Sequence, residues 1–419
     1  MTAAALQPIA AHERIATLDV LRGFALGGIL LMNMEAFVGP LAGSYTGLDP
    51  ALAGADRIVD GLVYVFVQGK FFTLFALLFG MGFAVMAQRA DAAGRPFAGL
   101  YLRRSLALLG IGLAHALLVW SGDVLVTYAL VSFLLPAFAE APPRLLAWLG
   151  ALCYLAAPAL LLGLGLASTA IPGWDAMMAA QGEAMAQTLA AQRQAYGAGD
   201  FAAAVVQRFD DFGMTLSNLT VIGPMVAGMF LLGAALLRSG AIAQPARHAR
   251  LYAWLRRAVL PLGLGLMLAS FRLEPSTDFG VFGLRQGVVQ ALGMVAGAMM
   301  CLGYMAWVLR ALDTATGARL LGTLAPAGRM ALTNYLVQSL LCTGVFYGYG
   351  LGFFERLPRA WQVPFALALF ALQVRYSRWW LQRFRFGPAE WLWRSITYWR
   401  LQPMRLPAPV LPSSPPPLP

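Results

Sequence analysis

Arg22 and Asn33 stand eleven positions apart in LDVLRGFALGGILLMNME, residues 18–35, the first apolar stretch of the chain. At 100° per residue they lie within about 20° of one helix face, and the 1.5 Å rise separates them by roughly 16 Å. Asp19 falls on that face, whereas Glu35 points elsewhere. An Arg in a helix centre costs about 2.5–3.5 kcal/mol on insertion scales, so such groups face a bundle interior or a water-filled cavity rather than lipid. The stripe therefore predicts a polar interior shared with other helices. For Arg22, a purely structural pairing with Asp19 is the plainer alternative.

His115, in LLGIGLAHALLVWSGD, is the one histidine inside an apolar stretch. Imidazole suits general-base chemistry near neutral pH, and Asp123 is placed to orient it as carboxylates orient catalytic histidines. The alternatives stay open: His115 bonded to a backbone carbonyl or a Tyr, and Asp123 capping the helix that follows. Eight residues of straight helix span about 12 Å, so direct contact needs the chain to turn back after Trp120. Lys70, Arg285, Gln286 and Gln290 add polar groups near the same end. Arg329, Thr333 and Asn334, in GRMALTNYLVQS, add them near the other. Candidate catalytic residues are thus His115 and Asp123. Candidate substrate-binding residues are Arg22, Asn33, Lys70, Arg285, Arg329 and Asn334, with Lys70 alternatively snorkelling to the membrane interface.

The elements that must carry these groups are transmembrane helices. Of 419 residues, 59% are hydrophobic and 12% charged, a composition that excludes an ordinary soluble enzyme. Ten apolar runs near the roughly 20 residues needed to cross a bilayer are read at 18–38, 70–88, 101–120, 123–140, 145–171, 216–238, 253–271, 286–309, 329–350 and 361–381. The fold class is all-α, a polytopic membrane helix bundle. Of 30 Lys and Arg, only Arg57, Lys70, Arg193, Arg208, Arg272, Arg285, Arg356 and Arg359 fall on the side opposite a cytoplasmic N-terminus. That bias places both termini in the cytoplasm. Anionic lipid, not nucleic acid, is then the partner of the net charge of +11.

Residues 1–16 form an N-terminal tail, 17–385 the bundle, and 386–419 a cytoplasmic segment ending in a Pro-rich stretch expected to be disordered. The first apolar stretch is read as a retained helix, not a cleaved signal peptide. The longest external connection, 172–215, has apolar positions at helical spacing, suggesting a helix at the membrane surface. Residues 54–68 suggest a second. Gly23 and Gly27 form a small-xxx-small pair that marks close helix contact. Cys153, Cys301 and Cys342 sit inside predicted spans without metal-ligand spacing and imply no disulfide framework.

RIATLDVLRGFALGGILLMNM (14–34), GKFFTLFALLFGMGFA (69–84), RRSLALLGIGLAHALLVWSGDVLVTYAL (103–130), GRMALTNYLVQS (328–339) and FGPAEWLWRSITY (386–398) together resemble the YeiB-like bacterial membrane proteins, domain of unknown function 418. The resemblance runs over nearly the whole chain and implies a multi-pass protein of the bacterial cytoplasmic (inner) membrane. More distantly, the LDxxRG opening and many-helix layout are similar to transmembrane acyltransferases, among them heparan-α-glucosaminide N-acetyltransferase and the family-3 acyltransferases. The family-3 enzymes follow their Arg after ten residues with a His; here the matching position is Asn33. If the similarity extends to acyl transfer, the base lies elsewhere, and His115 is the intramembrane candidate.

The expected function is therefore transfer of an acyl group from a cytoplasmic acyl-CoA to an envelope sugar or lipid. Arg22, Arg329 and Asn334 would hold the donor, and Asn33 or Lys70 would stabilise the oxyanion. Acyl-CoA would be a donor substrate, with no tightly bound cofactor and no metal. The alternative is a small-solute or proton-coupled transporter, for which charge at two depths and a His–Asp relay are also suited.

Overall fold

The computed structural model describes residues 15–406. Among them the secondary structure is helical, with only two isolated β-bridges, Gly47 to Ser276 and Phe384 to Arg405. The tail 1–14 and most of the Pro-rich end, 407–419, lie outside the described residues.

The first helix, α1 (Ala16–Val38), holds Asp19 in its first turn, where the helix dipole favours a carboxylate. An amphipathic α2 (Gly54–Phe66) runs into α3 (Phe71–Ala92) through Gly69, whose φ of +80° is a conformation glycine adopts without strain. Then come α4 (Ala98–Leu118), α5 (Leu125–Ser132) and α6 (Pro143–Ala167). The 172–215 connection is two helices, α7 (Trp174–Gln192) and α8 (Phe201–Ser217), doubled back through a π-helical turn. The chain continues as α9 (Leu219–Arg238), α10 (Ala249–Trp254), α11 (Leu260–Leu273) and α12 (Leu284–Leu312). It ends with α13 (Ala315–Gly322), α14 (Ala325–Arg329), α15 (Ala331–Phe346), α16 (Arg359–Leu381) and α17 (Pro388–Thr397).

Six helical segments among the described residues are long and apolar enough to cross a membrane: 16–38, 54–92, 143–167, 219–238, 245–273 and 284–312. The 123–140 stretch departs most from its expected span. It folds as the eight-residue α5 and a short 3-10 turn that starts beside Pro136, where a missing N–H and a fixed φ stop the α-helix. The 329–350 stretch is likewise broken at Met330, which separates α14 from α15.

Without a hydrophobic force between helices in lipid, close backbone approach holds a bundle together, and small residues permit it. Gly150 of α6 and Gly228 of α9 face each other so closely that a β-carbon on either would press on the other's carbonyl oxygen. Gly80 and Gly233 play the same part between α3 and α9. The crossing of α1 with α14 matters most for function. A β-carbon at Gly328 would overlap the Asp19 carbonyl, and one at Gly23 the Leu324 carbonyl. Gly27 packs instead against the Phe370 ring of α16.

Gly328→Ala is accordingly expected to lower stability by about 1–3 kcal/mol through overpacking, read as a fall of several degrees in the thermal midpoint of detergent-solubilised protein. Gly163→Ala, whose added β-carbon meets nothing within 4 Å, is the control and should leave the midpoint unchanged. Equal midpoints for the two variants would contradict this crossing.

Candidate functional site

The α1/α14 crossing opens a chamber. Its volume is 220 Å³, and five guanidinium groups line it, those of Arg22, Arg104, Arg329, Arg385 and Arg394. Two carboxylates, Asp19 and Glu390, answer them. Asp19 is committed to Arg22, at 3.0 Å. The Arg329 Nε atom is buried and has no hydrogen-bond partner. Three cationic charges thus stand in excess in a concave, partly dehydrated site, an arrangement that suits a polyanionic ligand.

Glu390 faces the other way. Its Oε1 accepts the backbone N–H groups of Leu332 and Thr333 at 2.7 and 3.1 Å, and its Oε2 accepts the Thr333 hydroxyl at 2.5 Å. It thereby satisfies the orphan donors in the first turn of α15 and docks α17 on the bundle. Burial pushes the Glu390 carboxyl above the usual carboxylate value, against the lowering effect of those hydrogen bonds. Burial also lowers the Arg394 guanidinium, and Arg22 adds to that. On the next turn of α17, Trp393 lies under Arg104, with the guanidinium carbon 3.6 Å from the ring centroid, and its Nε1 donates to the Arg104 carbonyl at 2.8 Å.

The same chamber is also lined by apolar side chains, among them Leu26, Ile29, Phe75, Phe79 and Tyr128. Ile29 is seven residues along α1 from Arg22, so this lining extends about 10 Å along that helix. Val124 and Tyr335 complete the wall. Directly behind that wall stands His115, its ring centroid 5.2 Å from that of Tyr335. His115 Nδ1 lies 2.6 Å from Asp123 Oδ2. The contact exists because the chain turns back after α4: the Trp120 N–H still bonds the His115 carbonyl, and the Trp120 ring folds over Gly122. Asp123 also accepts the Val126 N–H at 2.7 Å, so it caps α5 and orients the histidine at once. A carboxylate can only accept, so Nδ1 carries the proton and Nε2 is free. That Nε2 atom is buried without a partner.

The other candidates lie apart. Asn33 is half-buried, and its side chain makes no hydrogen bond with another described residue. Lys70 is buried, donating to the Tyr64 carbonyl at 2.7 Å beside the Met267 sulfur at 3.7 Å, so its ammonium is held inside the protein and does not snorkel to the interface. Arg285 bonds the Leu273 carbonyl and pairs with Glu274, tying the start of α12 to the end of α11. Asn334 donates to the Ala327 carbonyl at 3.2 Å and to Ser377 at 2.8 Å, joining α15 to α16. Thus Arg22 and Arg329 share the chamber, His115 and Asp123 meet behind its end, and Asn33, Lys70, Arg285 and Asn334 line neither.

The far side holds two further polar networks whose groups are matched. Arg359 bridges Asp60 at 2.7 Å and Glu35 at 3.1 Å. Asp211 accepts from Ser121, Gln192, Tyr196 and Gln207, locking the α7–α8 pair onto the bundle.

Sequence reasoning passed over Arg104, Tyr335, Arg385, Glu390, Trp393 and Arg394. For Glu390, Trp393 and Arg394 the signal was the FGPAEWLWRSITY block itself. Its glutamate, tryptophans and arginine are too dense for an idle tail, but only packing shows that it covers the chamber.

Residues 236–400 match the family described as "Protein of unknown function (DUF418)". The chain is 34% identical over 420 residues to the "Uncharacterized protein YxaH" of Bacillus subtilis (strain 168), covering 95% of this chain and 98% of that one. It is 33% identical over 394 residues to the "Uncharacterized protein YeiB" of Escherichia coli (strain K12), covering 92% and 96%. No solved structure matches.

Two predictions follow from the Glu390 and Asp123 contacts. Glu390→Ala removes three acceptor contacts and should free α17, speeding tryptic cleavage at Arg394 and Arg400, whereas Glu390→Gln keeps an acceptor and should stay close to wild type. Because the folded protein holds the Glu390 proton more tightly than the unfolded chain, this group's contribution to stability falls as pH rises through its raised pKa. The Gln variant should lose that slope in thermal midpoint against pH. Separately, Asp123→Ala should cost about 1–3 kcal/mol by leaving His115 Nδ1 and the Val126 N–H unsatisfied, again read as thermal midpoint.

Proposed function

The chain belongs to the DUF418 family of membrane proteins, and from that premise we propose that it is a transmembrane acyltransferase, moving an acyl group from a cytoplasmic acyl-CoA to an envelope sugar or lipid. The observation that carries this reading is one chamber lined by five arginines and by Tyr335, whose ring packs against a His–Asp pair with an unpartnered Nε2. Both termini then lie in the cytoplasm and the arginine chamber opens there, in the inner membrane of a bacterium. The ten-span count adds α4, the stretch around α5, α15 and α16 to the six long apolar segments.

In this reading Arg22, Arg104, Arg329 and Arg394 hold the phosphates of the donor, and the pantetheine arm follows the apolar lining toward Tyr335 and His115. His115 Nε2 takes the proton of the acceptor hydroxyl or amine as its oxygen or nitrogen attacks the thioester carbonyl. The new bond to carbon forms, the carbon–sulfur bond breaks, and the imidazolium returns the proton to the departing thiolate. Asp123 stabilises the imidazolium through Nδ1–H. The Tyr335 hydroxyl, which accepts the Val124 N–H at 3.4 Å, keeps its own proton to donate to the oxyanion. That role replaces Asn33 and Lys70, neither of which lines the chamber.

Calorimetry with acetyl-CoA and longer acyl-CoAs tests the reading. Arg22→Ala should weaken binding about ten- to a hundred-fold, the range for losing a charge-assisted contact. His115→Ala should bind as wild type yet lose transfer to an added acceptor. Well-folded protein that binds no acyl-CoA would end the CoA-dependent reading, and solute transport would replace it.

A further inference from the structure

Arg103 and Arg104 are consecutive on α4 but serve opposite sides of α17. Arg104 turns inward onto Trp393 and the chamber. Arg103 turns outward, exposed, with its Nε donating to the Thr397 carbonyl at 3.3 Å and no carboxylate partner among the described residues. From Arg103 an open groove follows α4 over a floor of small residues, Ala107, Gly110 and Ala114, with Leu392 and Ile396 of α17 forming one wall. Trp399, 80% exposed, closes the wall near the Arg103 end.

The groove is apolar along its length and cationic at its mouth. From Arg103 to Ala114 the eleven helical steps correspond to about 16 Å, close to the roughly 15 Å that one leaflet contributes to a 30 Å hydrocarbon core. An exposed Trp at the level of an unpaired Arg is the arrangement found where a membrane protein meets the headgroup region. We propose that this groove is a binding site for an anionic phospholipid of the cytoplasmic leaflet, one acyl chain lying on the Ala107–Gly110–Ala114 floor and the phosphate on Arg103. The proposal rests on the membrane orientation and not on acyl transfer.

A consequence for the chamber comes from α17 being shared. Leu392 and Ile396 face the groove, while Glu390, Trp393 and Arg394 face the chamber. A seated acyl chain therefore holds in place the helix that covers the arginines.

Gly110 offers a test, because a β-carbon there meets no atom within 4 Å, so Gly110→Leu places its side chain in the groove. Gly163→Leu, at an equally open position on α6, is the control. Delipidated protein in detergent is titrated with dioleoyl-phosphatidylglycerol or dioleoyl-phosphatidylcholine and followed by thermal shift, with native mass spectrometry counting retained lipid. Wild type and Gly163→Leu should favour phosphatidylglycerol about five-fold, the preference expected for one arginine at an anionic headgroup. Gly110→Leu should lose the retained lipid, and Arg103→Gln should bind both lipids equally. Equal response of wild type to the two lipids overturns the proposal, as does phosphatidylglycerol retained undiminished by Gly110→Leu. If Gly110→Leu does not fold, an unchanged preference in Arg103→Gln overturns it alone.

Discussion

A charged or polar group inside a bilayer must find a partner within the protein, and this constraint organises the molecule. Buried polar residues therefore gather where several helices can share them. On the far side two networks gather matched groups. Arg359 is matched by Asp60 and Glu35, and Asp211 receives four donors. Such networks fix the α7–α8 pair and join α2 to the end of α1 and the start of α16.

The near side breaks the same rule. Five arginines around the chamber meet only two carboxylates, one of which is spent on docking α17. His115 Nε2 and Arg329 Nε are buried without partners. Unsatisfied groups of this kind cost free energy; Tyr101 Oη, Arg208 Nε and Glu274 Oε2 are buried in the same condition elsewhere, so it is the excess of arginine that marks the chamber. The difference between the two layers, more than the identity of any one residue, separates the candidate site from structural polarity.

Glycine contacts and α17 make the site possible. The α1/α14 crossing at Gly23 and Gly328 brings Asp19, Arg22 and Arg329 to one cavity. Glu390 then draws α17 over it, and α17 in turn borders the groove beside Arg103. Chamber, covering helix and lipid-facing groove form one mechanical unit built around α4.

The sequence by itself determined the class of the protein and the residues that could not face lipid. Composition gave a helical membrane bundle, the 3.6-residue period put Asp19 and Arg22 on one stripe, and the resemblance of five blocks pointed to the family. It also singled out His115 and Asp123, although a straight helix held them about 12 Å apart. Their contact required the turn after Trp120, a feature of loop packing that no periodicity encodes. Arg22 and Arg329 are 307 positions apart, and Lys70 shares their polarity but not their cavity. Only tertiary structure decides such cases, because period and spacing describe neighbours along one helix, whereas a site is made by which helices cross and where glycine lets them approach.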